Sequence, residues 1–190
     1  MNLVEVVNTT RTQVDEELVA RLVATVLEAA GVFGAEVAVA FVGEARIRAL
    51  NREHRGKDEV TDVLSFPLED WDDDGPEGDD KRGALATAAA GVSAAASPAP
   101  DLGEVAAAVV AGEAGPPLML GDVVICARQA LRQARADALP AAFEIAVLLA
   151  HGTLHLLGYD HETDAGQMAL RQAEVLELVD WEDLVVAASR

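Results

Sequence analysis

Basic residues are scarce. Fourteen Lys and Arg stand against thirty-three Asp and Glu, a formal net charge of −19 in 190 residues. Taken alone, that balance speaks against a polyanionic substrate, because nucleic-acid binding draws on Lys and Arg. Cysteine is nearly absent. A single thiol, Cys126, leaves no internal disulfide to form, which fits a reducing, cytoplasmic compartment. Following Val123-Val-Ile125, it reads as a small core residue rather than a ligand. No run of about 18 or more strongly apolar residues occurs, so no membrane span is expected. The first residues lack a basic segment leading into an apolar run, so no secretory signal is expected. A length of 190 residues suits one domain with a sizeable core.

The acidity is unevenly spread. Residues 69–117 hold eleven acids against two bases. Between residues 46 and 57, Arg46, Arg48, Arg52, Arg55 and Lys57 meet a single acid, Glu53. Any attraction for RNA is therefore expected to be local rather than global.

Histidine is rare as well, yet its distribution is informative. Of four in the chain, three lie in His151-Gly-Thr-Leu-His155-Leu-Leu-Gly158-Tyr-Asp-His161. His151 and His155 are spaced i,i+4, so on a helix both rings project from one face, one turn apart. Gly158 suits the left-handed conformation that ends a helix. The chain can then turn and bring back His161 as a third ligand. Three imidazoles leave a tetrahedral zinc one open position, the arrangement of a catalytic site rather than a closed structural one. Water in that position has its pKa lowered to about 7. This predicts metal-assisted hydrolysis with one zinc per chain, although zinc, copper, nickel and iron all accept imidazoles. The same spacing occurs in metzincin proteases, which need Glu directly after the first His as general base. Here that position is Gly152, so the protease reading is disfavoured.

The remaining pattern mixes strands and helices, an α/β or α+β chain of three or four strands with helices packed on them. Leu3–Val7 and Glu36–Val42 read as strands. A helix is expected from an Asp15 cap to about Ala30, burying Leu18, Leu22, Val26 and Ala29, with Gly31 ending it. A short helix over 44–51 is followed by a loop, Arg52–Glu59, and a strand over about 62–68. Pro67 belongs at that strand's end or on an edge. Glu69 to Pro117 is acidic and then rich in Ala, Gly and Pro. It buries too little apolar surface to offset its ordering entropy, so a disordered insertion is expected. Gly121–Cys126 reads as a strand and Ala127–Ala138 as a helix whose Arg128, Arg132 and Arg135 read as a solvated face, with a supplementary RNA contact the alternative. Pro140 suits the first turn of another helix. Phe143–Leu157 is apolar almost all round, so it is expected to be buried and to deliver the two histidines. Thr163 is expected to cap a last helix, with Met168, Leu170, Leu176 and Val179 available for packing.

The H-G-x-L-H-L-x-G-Y-D-H stretch resembles the signature of the YbeY family of endoribonucleases, which mature ribosomal RNA. Two further stretches agree with it. One runs from Leu50-Asn-Arg-Glu-His-Arg55-Gly-Lys-Asp through Thr61-Asp-Val-Leu-Ser-Phe-Pro67, the other is Leu120-Gly-Asp-Val-Val-Ile125. The likeness covers roughly residues 3–68 and 118–180; the long 69–117 segment departs from it. The resemblance implies a mixed, about four-stranded sheet in one domain. It implies a single-strand-specific endoribonuclease that acts at the 3′ end of small-subunit ribosomal RNA and in ribosome quality control. It also implies binding to the ribosome or its proteins.

On this reading the metal ligands are His151, His155 and His161, and the candidate catalytic residues are Arg55 and His151. Arg55 matches the family's functional arginine, and its planar fork suits the charge gathering on phosphoryl oxygens. Lys57 and Arg52 are candidates for flanking phosphates. The proton carrier stays open between activated water and the RNA 2′-hydroxyl. Asp160 either orients a ligand histidine or caps the following turn. Asp62 is read as a cap and His54 as an exposed polar residue. The alternative class is a non-catalytic, zinc-containing ribosome-assembly factor.

Deleting residues 70–116 should leave the fold intact. The expected melting temperature lies within about 4 °C of the full chain, the shift that ~1 kcal/mol produces at this size. A larger fall would show the segment to be packed.

Overall fold

Four short runs of β-branched and aliphatic residues supply the strands. The computed structural model describes residues 1–68, 118–161 and 164–185. Strand β1 is Leu3–Asn8, β2 is Ala35–Phe41, β3 is Val63–Pro67 and β4 is Leu118–Ile125. They form one mixed sheet in the order β1-β2-β4-β3, with β1, β2 and β4 parallel and β3 antiparallel at an edge. Five helices pack with it: α1 (Glu16–Ala29), α2 (Glu44–Arg55), α3 (Ala127–Ala136), α4 (Ala141–Leu156) and α5 (Gln167–Leu178). The expected α/β architecture with a four-stranded mixed sheet is therefore the observed one. The insertion expected over 69–117 lies outside the described residues.

Alternation along the central strands divides the core. Val37, Val39 and Phe41 of β2 and Val123 and Ile125 of β4 face a large cluster shared with α1, α4 and α5. Val124 and Ala40 face the other way, onto a smaller cluster with Ile47 of α2, Leu64 of β3 and Cys126. Cys126 is thus the buried core residue its context suggested, and burial pushes its thiol up. Helix α4 runs through the middle: ten of its sixteen residues are buried, as an all-round apolar helix must be.

Two features of the strands escape the sequence pattern. β4 begins at Leu118, three residues before Gly121. Glu36 pairs with Met119 but Val37 pairs with Gly121, so Leu120 is an extra residue bulged out of the ladder. Gly121 has φ +133°, and a Cβ there would lie 2.1 Å from the Phe66 carbonyl oxygen. The bulge brings Leu120 and Val123, three residues apart, onto the same core face.

Several helix limits also shift. α2 continues to Arg55, because Gly56 at φ 69° provides the left-handed stop that the expected loop start lacked. Pro140 precedes α4 rather than entering its first turn; ψ 136° keeps it extended. Thr163 lies outside the described residues; among those described, Asp164 serves the start of α5. That carboxylate accepts from the N–H groups of Gly166 and Met168, both at 2.7 Å. Met168 is buried in the core as expected, whereas Leu170 is 61% exposed and packs on nothing central.

Gly121→Ala should cost about 2–4 kcal/mol, from backbone strain plus the clash with Phe66, and lower the melting temperature by more than about 4 °C. A variant as stable as the parent would rule out the bulge.

Candidate metal centre

The site begins where α4 stops. His151 and His155 sit on its last turns, one face, one turn apart. After the cap residue Leu157, Gly158 takes φ 83°. Its N–H donates to the His155 carbonyl at 3.0 Å and the Tyr159 N–H to the Leu154 carbonyl at 3.1 Å. This pair of bonds is a Schellman closure, and it reverses the chain so that His161 returns to the other two rings. Ring centroids lie 4.6 Å apart for His151 and His155, and 5.3 Å for each of them to His161. One ligand nitrogen from each ring falls within 4.8 Å of the others. Among the described residues no other cluster of His, Cys, Asp or Glu has this property.

The donor set suits a cation. His151 Nε2 and His155 Nε2 face each other at 3.1 Å. Two nitrogens bound to one tetrahedral cation at about 2.0–2.1 Å lie about 3.3 Å apart. His151 Nδ1 approaches Gln172 Oε1 at 3.2 Å, and His155 hydrogen-bonds the Tyr159 backbone. With a proton on His151 Nδ1, that ring would turn its Nε2 lone pair toward His155. Burial, and after it the neighbouring imidazoles, lower both proton affinities. Neutral imidazole is the form that ligates a metal.

Gly152 explains how α4 reaches this position. A Cβ there would meet Val123 Cγ1 at 2.6 Å and Ser65 Oγ at 3.2 Å. The helix backbone therefore lies directly on the sheet, and the Ser65 hydroxyl donates to the Gly152 carbonyl at 3.2 Å. The residue that deprives the site of a protease-type base is also the one that lets the helix dock.

A cleft of about 390 Å³ opens beside the histidines, between the free edge of β3 and the end of α2. Arg55, Asp62, Ser65 and Asp160 line it together with His151, His155 and His161. Arg55, on the final turn of α2, is thus brought to the metal centre. Asp62, expected as a cap, caps none of the described helices and instead ties the start of β3 to α3. Its oxygens accept from Thr61 Oγ1 at 3.0 Å, the Val63 N–H at 2.9 Å and Gln133 Nε2 at 2.9 Å. Burial raises its proton affinity, but these donors outweigh that and hold the carboxyl below its ordinary value. Asp160 lies close enough to favour positive charge on His155.

The other candidates lie elsewhere. Arg52 leans on Asp58 at 3.5 Å, and Arg48 forms a two-pronged pair with the same carboxylate at 2.9 Å. Lys57 is exposed outside the cleft. His54 packs edge-on against Phe66, centroids 4.8 Å apart, and is no fourth ligand. Arg128 and Arg132 bind Glu44 at the start of α2, so the solvated arginine face is in part an inter-helix clamp. Gln172 was not anticipated. Its signal was a polar residue on the inward stripe formed with Met168 and Val175, at i−4 and i+3.

A sequence model of the family described as endoribonuclease YbeY matches residues 5–180. The endoribonuclease YbeY of Anaeromyxobacter sp. strain Fw109-5 is 39% identical over 169 residues, covering 88% of this chain and 65% of that protein. The one from Thermoanaerobacter sp. strain X514 is 37% identical over 160 residues, covering 84% and 82%. The one from Macrococcus caseolyticus is 38% identical over 144 residues, covering 75% and 70%. The chain thus spans just under two thirds of the first relative and more of the others. The fold is also that of a Thermotoga maritima protein solved in solution, with a TM-score of 0.51 at 22% identity over 92% of this chain and 87% of that one. Both the matched span, which takes in all three motifs, and the identity across most of the chain place it in the endoribonuclease YbeY family.

Proposed function

We propose that the chain is a zinc-dependent endoribonuclease that cuts single-stranded RNA in ribosomal RNA maturation, working in the cytoplasm on or near the ribosome. One observation carries this reading: Arg55 and three converging imidazoles share one cleft. Family membership supports the RNA substrate. The proposal treats the chain as one catalytic domain interrupted at 69–117.

His151, His155 and His161 would hold one Zn²⁺, a cation that imidazole nitrogens suit and that tolerates an open fourth position. When bound, the ion supplies Lewis-acid polarisation of a phosphoryl oxygen and acidifies water. The protein's own share is positioning. Among the described residues Arg55 makes no ion pair, whereas Arg48 and Arg52 are both engaged by Asp58. Its guanidinium is therefore available to donate to two phosphate oxygens at once and to stabilise the charge that develops on them. Asp62 spends its lone pairs on Thr61, Val63 and Gln133 and so stiffens the wall opposite. Gly152 supplies no protease-type glutamate base next to the first ligand, and the attacking oxygen is that of water or of the RNA 2′-hydroxyl. A single-stranded substrate suits an open cleft, because unpaired bases can be splayed out and read where those of a duplex cannot.

Chelator treatment should abolish cleavage of single-stranded RNA and zinc should restore it. Arg55→Ala should lower the rate by about 10²–10³, the usual loss on removing one donor to a transition-state oxyanion, with zinc content unchanged. Purified protein that leaves RNA intact with zinc present, and behaves the same with Arg55→Ala, would support the non-catalytic assembly factor instead.

The metal-free protein should also show a defined pH response. His151 and His155 bind protons less readily folded than unfolded. Below the unfolded value of about 6.5 the unfolded chain therefore holds more protons, and stability falls as pH drops. Above that value their contribution is level. Melting curves between pH 8 and pH 5 should fall below about pH 6.5, and a His151→Gln/His155→Gln double variant should flatten the slope. An equal slope in both proteins would contradict the assignment.

A further inference from the structure

We propose that Gln172 is the positioning residue that fixes His151 as a ligand. Its Oε1 accepts the Nδ1–H of the ring and leaves the Nε2 lone pair turned into the site. This rests on the metal reading given above, and it adds a residue from a separate helix that the three motifs do not contain.

The placement argues for it. Met168 and Val175 are 1% and 0% exposed, and Gln172, half-buried, lies between them on the same stripe of α5. An amide at such a position costs free energy unless it is hydrogen-bonded. Its partner is His151 Nδ1, 3.2 Å away across the α4–α5 contact. The register of α5 is set independently of the site. Asp164 caps its start through the Gly166 and Met168 N–H groups. Arg171 binds Glu174 and the Ala29 carbonyl, which ties α5 to α1. Gln172 is thus held in place by contacts that would exist without any histidine.

The chemistry follows from the two ring nitrogens. A neutral imidazole carries one proton, and whichever nitrogen lacks it is the one that ligates. His155 hydrogen-bonds the Tyr159 backbone at its own helix end. His151 is a full turn back, where the helix carbonyls are already bonded, so it needs an acceptor from outside the helix. Gln172 Oε1 is that acceptor. Without it the ring can carry its proton on Nε2, which points an N–H rather than a lone pair at the centre. It can also rotate away from His155 Nε2, now 3.1 Å distant.

The test compares Gln172→Leu, which removes the acceptor at similar size, with Gln172→Glu, which keeps one. Histidine-ring ¹⁵N NMR on chelator-treated protein at slightly alkaline pH should find His151 protonated at Nδ1 in the parent and in Gln172→Glu. Gln172→Leu should shift the ring toward the Nε2–H form and weaken zinc binding about 10–100-fold in a chelator competition, the usual effect of losing such a partner. Gln172→Met serves the same comparison if leucine disturbs packing. An Nε2–H tautomer in the parent, or an unchanged tautomer and affinity in Gln172→Leu, would overturn the proposal. A parent protein that takes up no zinc would remove the metal reading instead, and the tautomer comparison would then decide the role of Gln172 by itself.

Discussion

The close approach of α4 to the sheet at Gly152 governs most of what the site can be. With no side chain there, the helix backbone rests on Val123 and the Ser65 hydroxyl, and no ordinary residue could be inserted without moving one of them. That contact fixes the height and rotation of α4, and with them the directions of His151 and His155. It also sets the helix end against the free edge of β3, so the metal centre and the cleft wall are parts of one packing arrangement. Core interiors tolerate little extra volume, which makes this a rigid platform rather than an adjustable one. Helix-borne ligands on such a platform keep their geometry better than loop-borne ones.

Electrostatics then act locally within an acidic molecule. Asp58 takes up Arg48 and Arg52, and Glu44 takes up Arg128 and Arg132. All four pairs are at the surface and contribute little to stability. Their effect is rather to order α2 and its neighbours and to leave Arg55 as the guanidinium that faces the cleft. Burial of the two helical histidines works in the same direction, because it keeps them neutral and able to ligate. A chain of net charge −19 thus presents one small region suited to a phosphate.

Much of this was legible in the amino-acid order. The i,i+4 histidines, the stop at Gly158 and the return of His161 follow from helix geometry and glycine's access to positive φ, and the structure brings all three rings together. The place of Arg55 beside them came from the resemblance, since a surface arginine has no local signature of its own. What stayed hidden depends on contacts between distant segments. The bulge at Leu120 exists because Gly121 must pass the Phe66 carbonyl, a contact between strands 55 residues apart in sequence. Arg52 and Lys57 were read as flanking-phosphate candidates, but Arg52 is taken up by Asp58 and Lys57 lies outside the cleft. Gln172 is polar on a stripe of core residues, a visible anomaly whose meaning required knowing that His151 lies opposite. Residues 69–117, the clearest compositional departure, fall outside the described structure.

The account stands on three imidazoles sharing one cation, and elemental analysis of purified protein addresses this directly. It predicts one zinc per chain in the parent and a content well below one in His155→Ala, with the variant still folded. Full retention of zinc by folded His155→Ala would take that ring out of the ligand set and contradict the account.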